Sequence, residues 1–104
     1  MIARMWHGMT PAAKADDYLE VLKKTGVPDY QSTEGNRGVY ILRRIEGDRA
    51  HFLLITHWDS VEAIKKFAGE DFEKAKYYPE DAAFLLEFEP HVTHYEVLVN
   101  PSTV

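Results

Sequence analysis

Two hydrophobic rhythms alternate along this chain, one of period two and one of helical spacing. Ile2 to Met9 is dense in apolar and aromatic side chains and predicts a strand. Thr10 and Pro11 then read as a helix start, a hydroxyl cap followed by proline at the first helical position. Ala12, Ala15, Tyr18, Leu19 and Leu22 recur on one helical stripe, and Gly26 with Pro28 is expected to end it. The polar segment from Asp29 to Gly38 predicts a loop. Val39 to Ile45 and His51 to Trp58 predict two strands, and the glycine-bearing Glu46-Gly47-Asp48-Arg49 between them predicts a hairpin.

The strand from His51 to Trp58 is apolar on both alternating faces, with Leu53 and Ile55 on one and Phe52 and Leu54 on the other. Such a strand is covered on both faces. Helices in so short a chain can cover only one, so a second copy of the chain is the natural cover for the other. Asp59 with Glu62 predicts a capping box, with Trp58 as its hydrophobic staple. Val61, Ile64, Phe67 and Ala68 form the stripe of a second helix ended by Gly69. The aromatic, acidic stretch that follows predicts one or two short helical turns, the second opening at Pro79. Val92 to Val99 predicts the last strand, and Asn100 to Val104 a tail. The order βαββαβ implies an α+β, ferredoxin-like fold: a four-stranded antiparallel sheet with the first strand between the third and fourth.

Composition narrows the function. A length of 104 residues fits a single domain, 1–104, and 45% apolar residues supply a core. The absence of cysteine removes disulfides, zinc-thiolate sites and thiol nucleophiles, and fits a reducing, cytoplasmic setting. No stretch approaches a membrane span, and the residues from Met1 to His7 lack the apolar run of a signal peptide. With net charge −5 and dispersed basic residues, nucleic acid is not an expected partner. No histidine pair has the i, i+4 spacing of a zinc helix, so no metal site is expected.

The sharpest chemical signal is in the first strand. Arg4 and Trp6 share a face, and the strand is central in the expected sheet, so Arg4 should be buried. An unpaired guanidinium out of water costs several kcal/mol, by order of magnitude. The neighbouring last strand offers His94 and Glu96 on one face of its own. An Arg4–Glu96 ion pair with His94 nearby would either serve packing alone or mark a polar spot in an apolar pocket. Trp6, Trp58, Tyr77 and Tyr78 are the aromatic candidates to line that pocket, although Trp58 and Phe67 also suit a plain core.

Taken together, the element order, Gly35-Asn-Arg-Gly-Val-Tyr, Trp58-Asp-Ser-Val-Glu-Ala-Ile-Lys-Lys-Phe67, Asp71-Phe-Glu-Lys-Ala-Lys-Tyr-Tyr and Thr93-His-Tyr-Glu-Val resemble the antibiotic biosynthesis monooxygenase-like family of dimeric α+β barrels. The resemblance covers nearly the whole chain. It implies a homodimer with face-to-face sheets and a pocket between each sheet and its helices. It also implies a cofactor-independent monooxygenase acting on a small aromatic, quinol-like or apolar molecule. His94 would then be the base, Arg4 the group that stabilises the anion, and Trp6, Trp58, Tyr77, Tyr78 and Glu96 the substrate-binding residues. A haem-degrading branch of the family uses an asparagine, a tryptophan and a histidine ligand. The aligned positions here hold Arg4, Phe67 and Lys76, which departs from that chemistry, with His94 left as a different haem ligand. The alternatives are a non-catalytic small-molecule or haem-binding dimer, or an isomerase- or lyase-type reaction on the same scaffold.

Overall fold

The computed structural model describes residues 1–102; the end of the expected tail, Thr103 and Val104, lies outside them. Four strands form one antiparallel sheet: β1 (Ile2–Pro11), β2 (Asn36–Glu46), β3 (Arg49–Trp58) and β4 (Thr93–Glu96). Their order across the sheet is β2-β3-β1-β4, so the first strand lies between the third and the fourth, as the βαββαβ pattern predicts. Helices α1 (Ala15–Lys24), α2 (Gly26–Ser32) and α3 (Val61–Ala68) complete the regular structure, with short 3-10 turns at Ala12–Lys14 and Pro79–Ala83.

The core lies between the helices and one face of the sheet. From β3 it takes Ala50, Phe52, Leu54 and Trp58, and from the helices Ala15, Tyr18, Leu22, Tyr30, Ile64 and Phe67. Strict alternation along β3 leaves Leu53 and Ile55 half-buried on the other face, beside exposed Tyr40, Leu42 and Tyr95. No helix covers that face. Among the described residues no helix is long and apolar enough to cross a membrane.

Local expectations fail where pairing overrides local signals. Thr10 and Pro11 continue β1 instead of starting a helix, because β1 pairs with β3 as far as Pro11 opposite Arg49, and Ala12 donates to Asp48 O at 2.7 Å. Gly26 and Pro28 do not end the helical region; both sit in the first turn of α2, where proline's missing N–H is not needed. The backbone turns between α1 and α2 at Thr25. The helix α3 is capped by Ser60, which accepts from Ala63 N at 3.1 Å. Asp59, the expected cap, instead takes two hydrogen bonds of 2.7 Å from Arg37.

The last strand is shorter than Val92–Val99. Its pairing spans Ile2↔Glu96 to Met5↔Thr93, and Val97 N donates to Met1 O. At the other end the edge of β1 is covered by an irregular segment, with Leu86 donating to Met9 O at 2.8 Å. The hairpin of β2 and β3 closes tightly on Gly47, whose φ of 59° suits glycine.

Candidate functional site

Register decides which of the expected residues meet. Arg4 lies directly opposite His94, and Ile2 opposite Glu96, so Arg4, Trp6 and His94 share the helix-covered face. Arg4 is 1% exposed and Trp6 5%. The expected Arg4–Glu96 ion pair does not form. Glu96 sits two residues further along β4, opposite Ile2, and is exposed, which removes it from the site. Among the described residues Arg4 has no carboxylate partner. Its Nη2 donates to Lys74 O at 3.0 Å, and its guanidinium carbon stands 5.3 Å from the centre of the Phe67 ring. Its Nε has no partner at all.

Two neighbours share that condition. Trp6 Nε1 and His94 Nε2 are buried with no acceptor or donor in hydrogen-bonding geometry. The Trp6 indole stands edge-on to Tyr77, 6.1 Å between centroids, with its N–H toward the Tyr77 hydroxyl but outside good hydrogen-bonding geometry, and that hydroxyl donates to Glu89 O. Gly8 lets the Trp6 ring fold back over β1, since a Cβ there would collide with Trp6 Cη2. His94 stacks edge-on to Phe72 at 5.2 Å. Three buried polar atoms on the helix-covered face of β1 and β4 each lack the hydrogen bond that burial normally demands.

The electrostatics follow from that burial. Desolvation pulls Arg4 below the usual guanidinium range, with Tyr30 and Tyr78 opposing. Burial, then the charge of Arg4, lowers His94 below its ordinary value, against a weaker pull from Glu73. His94 is therefore a neutral imidazole at pH 7. Burial also pushes Tyr30 up to about 12, so its hydroxyl stays protonated.

The remaining sequence candidates divide. Trp58 is a core residue: it is 0% exposed, packs on Phe67 at 5.6 Å, and donates through Nε1 to Thr56 Oγ1 at 2.8 Å. Thr56 passes the link to Arg4 O at 3.3 Å and so pins the strand beneath the guanidinium. Tyr77 stands against Trp6 beside the site. Tyr78 points elsewhere, donating to Asp29 Oδ2 at 2.6 Å. Burial acts to raise the Asp29 carboxyl, but hydrogen bonds from Lys76 and Tyr78 outweigh it and hold Asp29 below the usual carboxylate range.

Lys76 and Asp29 bear on haem, which the structural likenesses below bring into question. Lys76, at the position of the expected haem ligand, donates to Asp29 at 2.8 Å and to Phe67 O at 3.2 Å. Its ammonium also lies 4.4 Å from the Phe67 ring centre. A cation held in this way offers iron no lone pair. Tyr30, Trp58 and Phe67 pack against one another in the space behind it. The residues present do not make the haem site that the family resemblance would carry.

Arg4, Trp6 and His94, singled out in the sequence, share one face, but the sequence does not mark Lys74, whose carbonyl holds Arg4 from 70 residues away. No local signal marks such a contact. Nor does the sequence mark His7 and His51, which meet on the opposite face.

No protein-family model matches the chain, and no curated protein does. Solved structures share its fold at low identity. The haem-degrader MhuD from Mycobacterium tuberculosis, with two haems bound in its active site, is 20% identical with a TM-score of 0.59, covering 96% of this chain and 98% of its own. A candidate antibiotic biosynthesis monooxygenase from Bacillus cereus is 16% identical with a TM-score of 0.62, covering 95% and 92%. Another from Bordetella bronchiseptica is 20% identical with a TM-score of 0.62, covering 94% and 97%.

Proposed function

We propose that the chain is a cofactor-independent oxygenase for a small aromatic, quinol-like molecule, with Arg4, Trp6 and His94 at its reacting centre. The observation that carries this reading is the buried Arg4 guanidinium, which has no carboxylate and an unpartnered Nε. A charge buried for packing alone would be paired. Arg4 Nε and Trp6 Nε1 can only donate, so the group they lack is an acceptor, such as the oxygen of a phenolate. His94, neutral at pH 7 with a free Nε2, takes the substrate's hydroxyl proton. Arg4 and Trp6 then stabilise the oxyanion in a buried site, and the electron-rich ring gives an electron to oxygen.

Entry to the closed centre requires the cover to move. The stretch between Gly69 and Val92 supplies Phe72, Lys74, Tyr77 and Leu85 to that cover, and its only regular element is the turn at Pro79–Ala83. Segments with little regular structure open at lower free-energy cost than core strands and helices. The bare sheet face is the second part of the proposal. Its apolar centre of Met5, Leu53, Ile55, Tyr40 and Leu42 is ringed by both signs of charge, which suits an isologous homodimer, here placed in the cytoplasm.

Oxygen uptake with a panel of hydroquinones and polyphenols tests the chemistry. The wild type consumes oxygen, and His94→Ala and Arg4→Ala each lose most of the rate. Equal rates in all three proteins remove both residues from the mechanism. Substrate binding without oxygen uptake would favour the non-catalytic reading.

A further inference from the structure

A second cluster of titratable side chains occupies the other face of the sheet, near the tip of the hairpin. The rings of His7 and His51 stack with centroids 5.3 Å apart, and His7 Nε2 faces His51 Nδ1 at 3.0 Å. The outer nitrogens are both held by carboxylates. His7 Nδ1 meets Glu89 Oε2, and His51 Nε2 lies 3.2 Å from Glu46 Oε1. An ionised carboxylate only accepts, so each outer nitrogen carries that ring's hydrogen. A neutral imidazole has no second N–H. With both rings neutral, the two inner nitrogens face each other as lone pairs, and either a shared proton or a metal ion fits between them.

We propose that His7 and His51 form a binding site for a divalent transition-metal ion of the zinc, nickel and copper class, which imidazole ligands favour. The carboxylates have the place that outer partners of metal-binding histidines normally take: they fix the tautomer, orient the ring and raise its basicity. Two metal–nitrogen bonds of about 2.0–2.1 Å at a tetrahedral angle span about 3.4 Å. The rings need to part by only a few tenths of an ångström.

The surroundings permit an ion. A hollow of about 290 Å³, lined by both histidines with Leu42, Leu53, Arg43 and Arg44, leaves room for water ligands. Its two arginines are engaged, Arg44 with Glu46 at 3.2 Å and Arg43 with Asp16 at 2.7 Å. Among the described residues no three His, Asp or Glu side chains converge on one point. Each chain thus supplies two ligands, and solvent or the copy proposed to pack on Leu42 and Leu53 supplies the rest. This site stands apart from the Arg4 centre and does not depend on its chemistry.

Titration of the metal-free full chain with Ni²⁺, Zn²⁺ and Cu²⁺ tests the proposal. The expected result is one ion per chain, a melting temperature that rises with ion concentration, and reversal by chelator. The Cu²⁺ resonance spectrum should carry hyperfine structure from two imidazole nitrogens. His7→Gln and His51→Gln should each abolish binding, while His57→Gln and His91→Gln bind as the wild type does. Glu89→Gln should weaken binding roughly 10–100-fold by loosening the outer shell. No saturable binding by the folded wild type, meaning that a shared proton alone fills the gap, overturns the proposal. So does binding that survives both His7→Gln and His51→Gln. If those variants fail to fold, the nitrogen count in wild-type Cu²⁺ spectra decides it.

Discussion

The two faces of one sheet carry the same strands and end in opposite states. On the helix-covered face, Phe52, Leu54, Trp58 and Trp6 are buried, and so is the cation Arg4. On the bare face, one residue along each strand, Leu53 and Ile55 are half-buried, and Tyr40 stays 60% exposed. The covered face is apolar and contains an unpaired charge; the bare face is apolar and contains nothing that covers it. Each is an incomplete account of a folded surface. The proposed ligand acceptor would complete the first, and the proposed second copy of the chain the second.

Substitutions that differ by one position along β3 should separate the faces most sharply. Phe52→Ala should cost about 3–5 kcal/mol of stability at every protein concentration, measured by urea unfolding. Leu53→Ala should cost less, and its loss should shrink on dilution as the dimer dissociates. Equal, concentration-independent losses would count against a pairing sheet face.

Next in size is the cap of α3. Ser60→Ala should cost about 1 kcal/mol, while Asp59→Ala, which removes only an exposed pair with Arg37, should cost less. The reverse order, read from thermal melts, would restore Asp59 as the cap. The preceding Asp59 is the more visible candidate in the sequence because Glu62 stands three residues on. The structure uses the next residue, since Arg37 on β2 takes the aspartate for itself.

That substitution of one partner for another is typical of what the sequence left hidden. The covered face of β3 and the stripes of α1 and α3 follow from periodicity, and the central place of β1 follows from element order. Burial of Arg4 could then be read without coordinates. Its partner could not, because a shift of register by two residues decides between Glu96 and His94. Lys74 O, which holds the guanidinium, belongs to an irregular segment with no repeating pattern. His7 and His51 lie diagonally across β1 and β3, and Glu89 reaches them from beyond the edge of β1. Such constellations exist only once strands are aligned.

The smallest effect concerns pH. The fold holds His94 below its ordinary value of 6.5, chiefly by burial and then by the charge of Arg4. At acid pH the unfolded chain therefore takes up a proton that the folded chain resists. This contribution to stability is complete above the ordinary histidine range and is lost as pH falls through it. His94→Gln should flatten the decline in urea midpoint between pH 8 and 5, by the share that His94 supplies. An unchanged slope would show that His94 is not the group held neutral. A base kept neutral in this way would also lose activity only on the acid side.

The central claim is that Arg4 is kept in the core for what it binds and not for what it holds together. Arg4→Met measures this most directly, since methionine fills a similar volume with no charge. The account predicts a variant as stable as the wild type, or more stable by about 1–4 kcal/mol, with oxygen consumption on quinol substrates abolished. A variant that loses several kcal/mol, or one that melts like the wild type and still consumes oxygen at its rate, would contradict it.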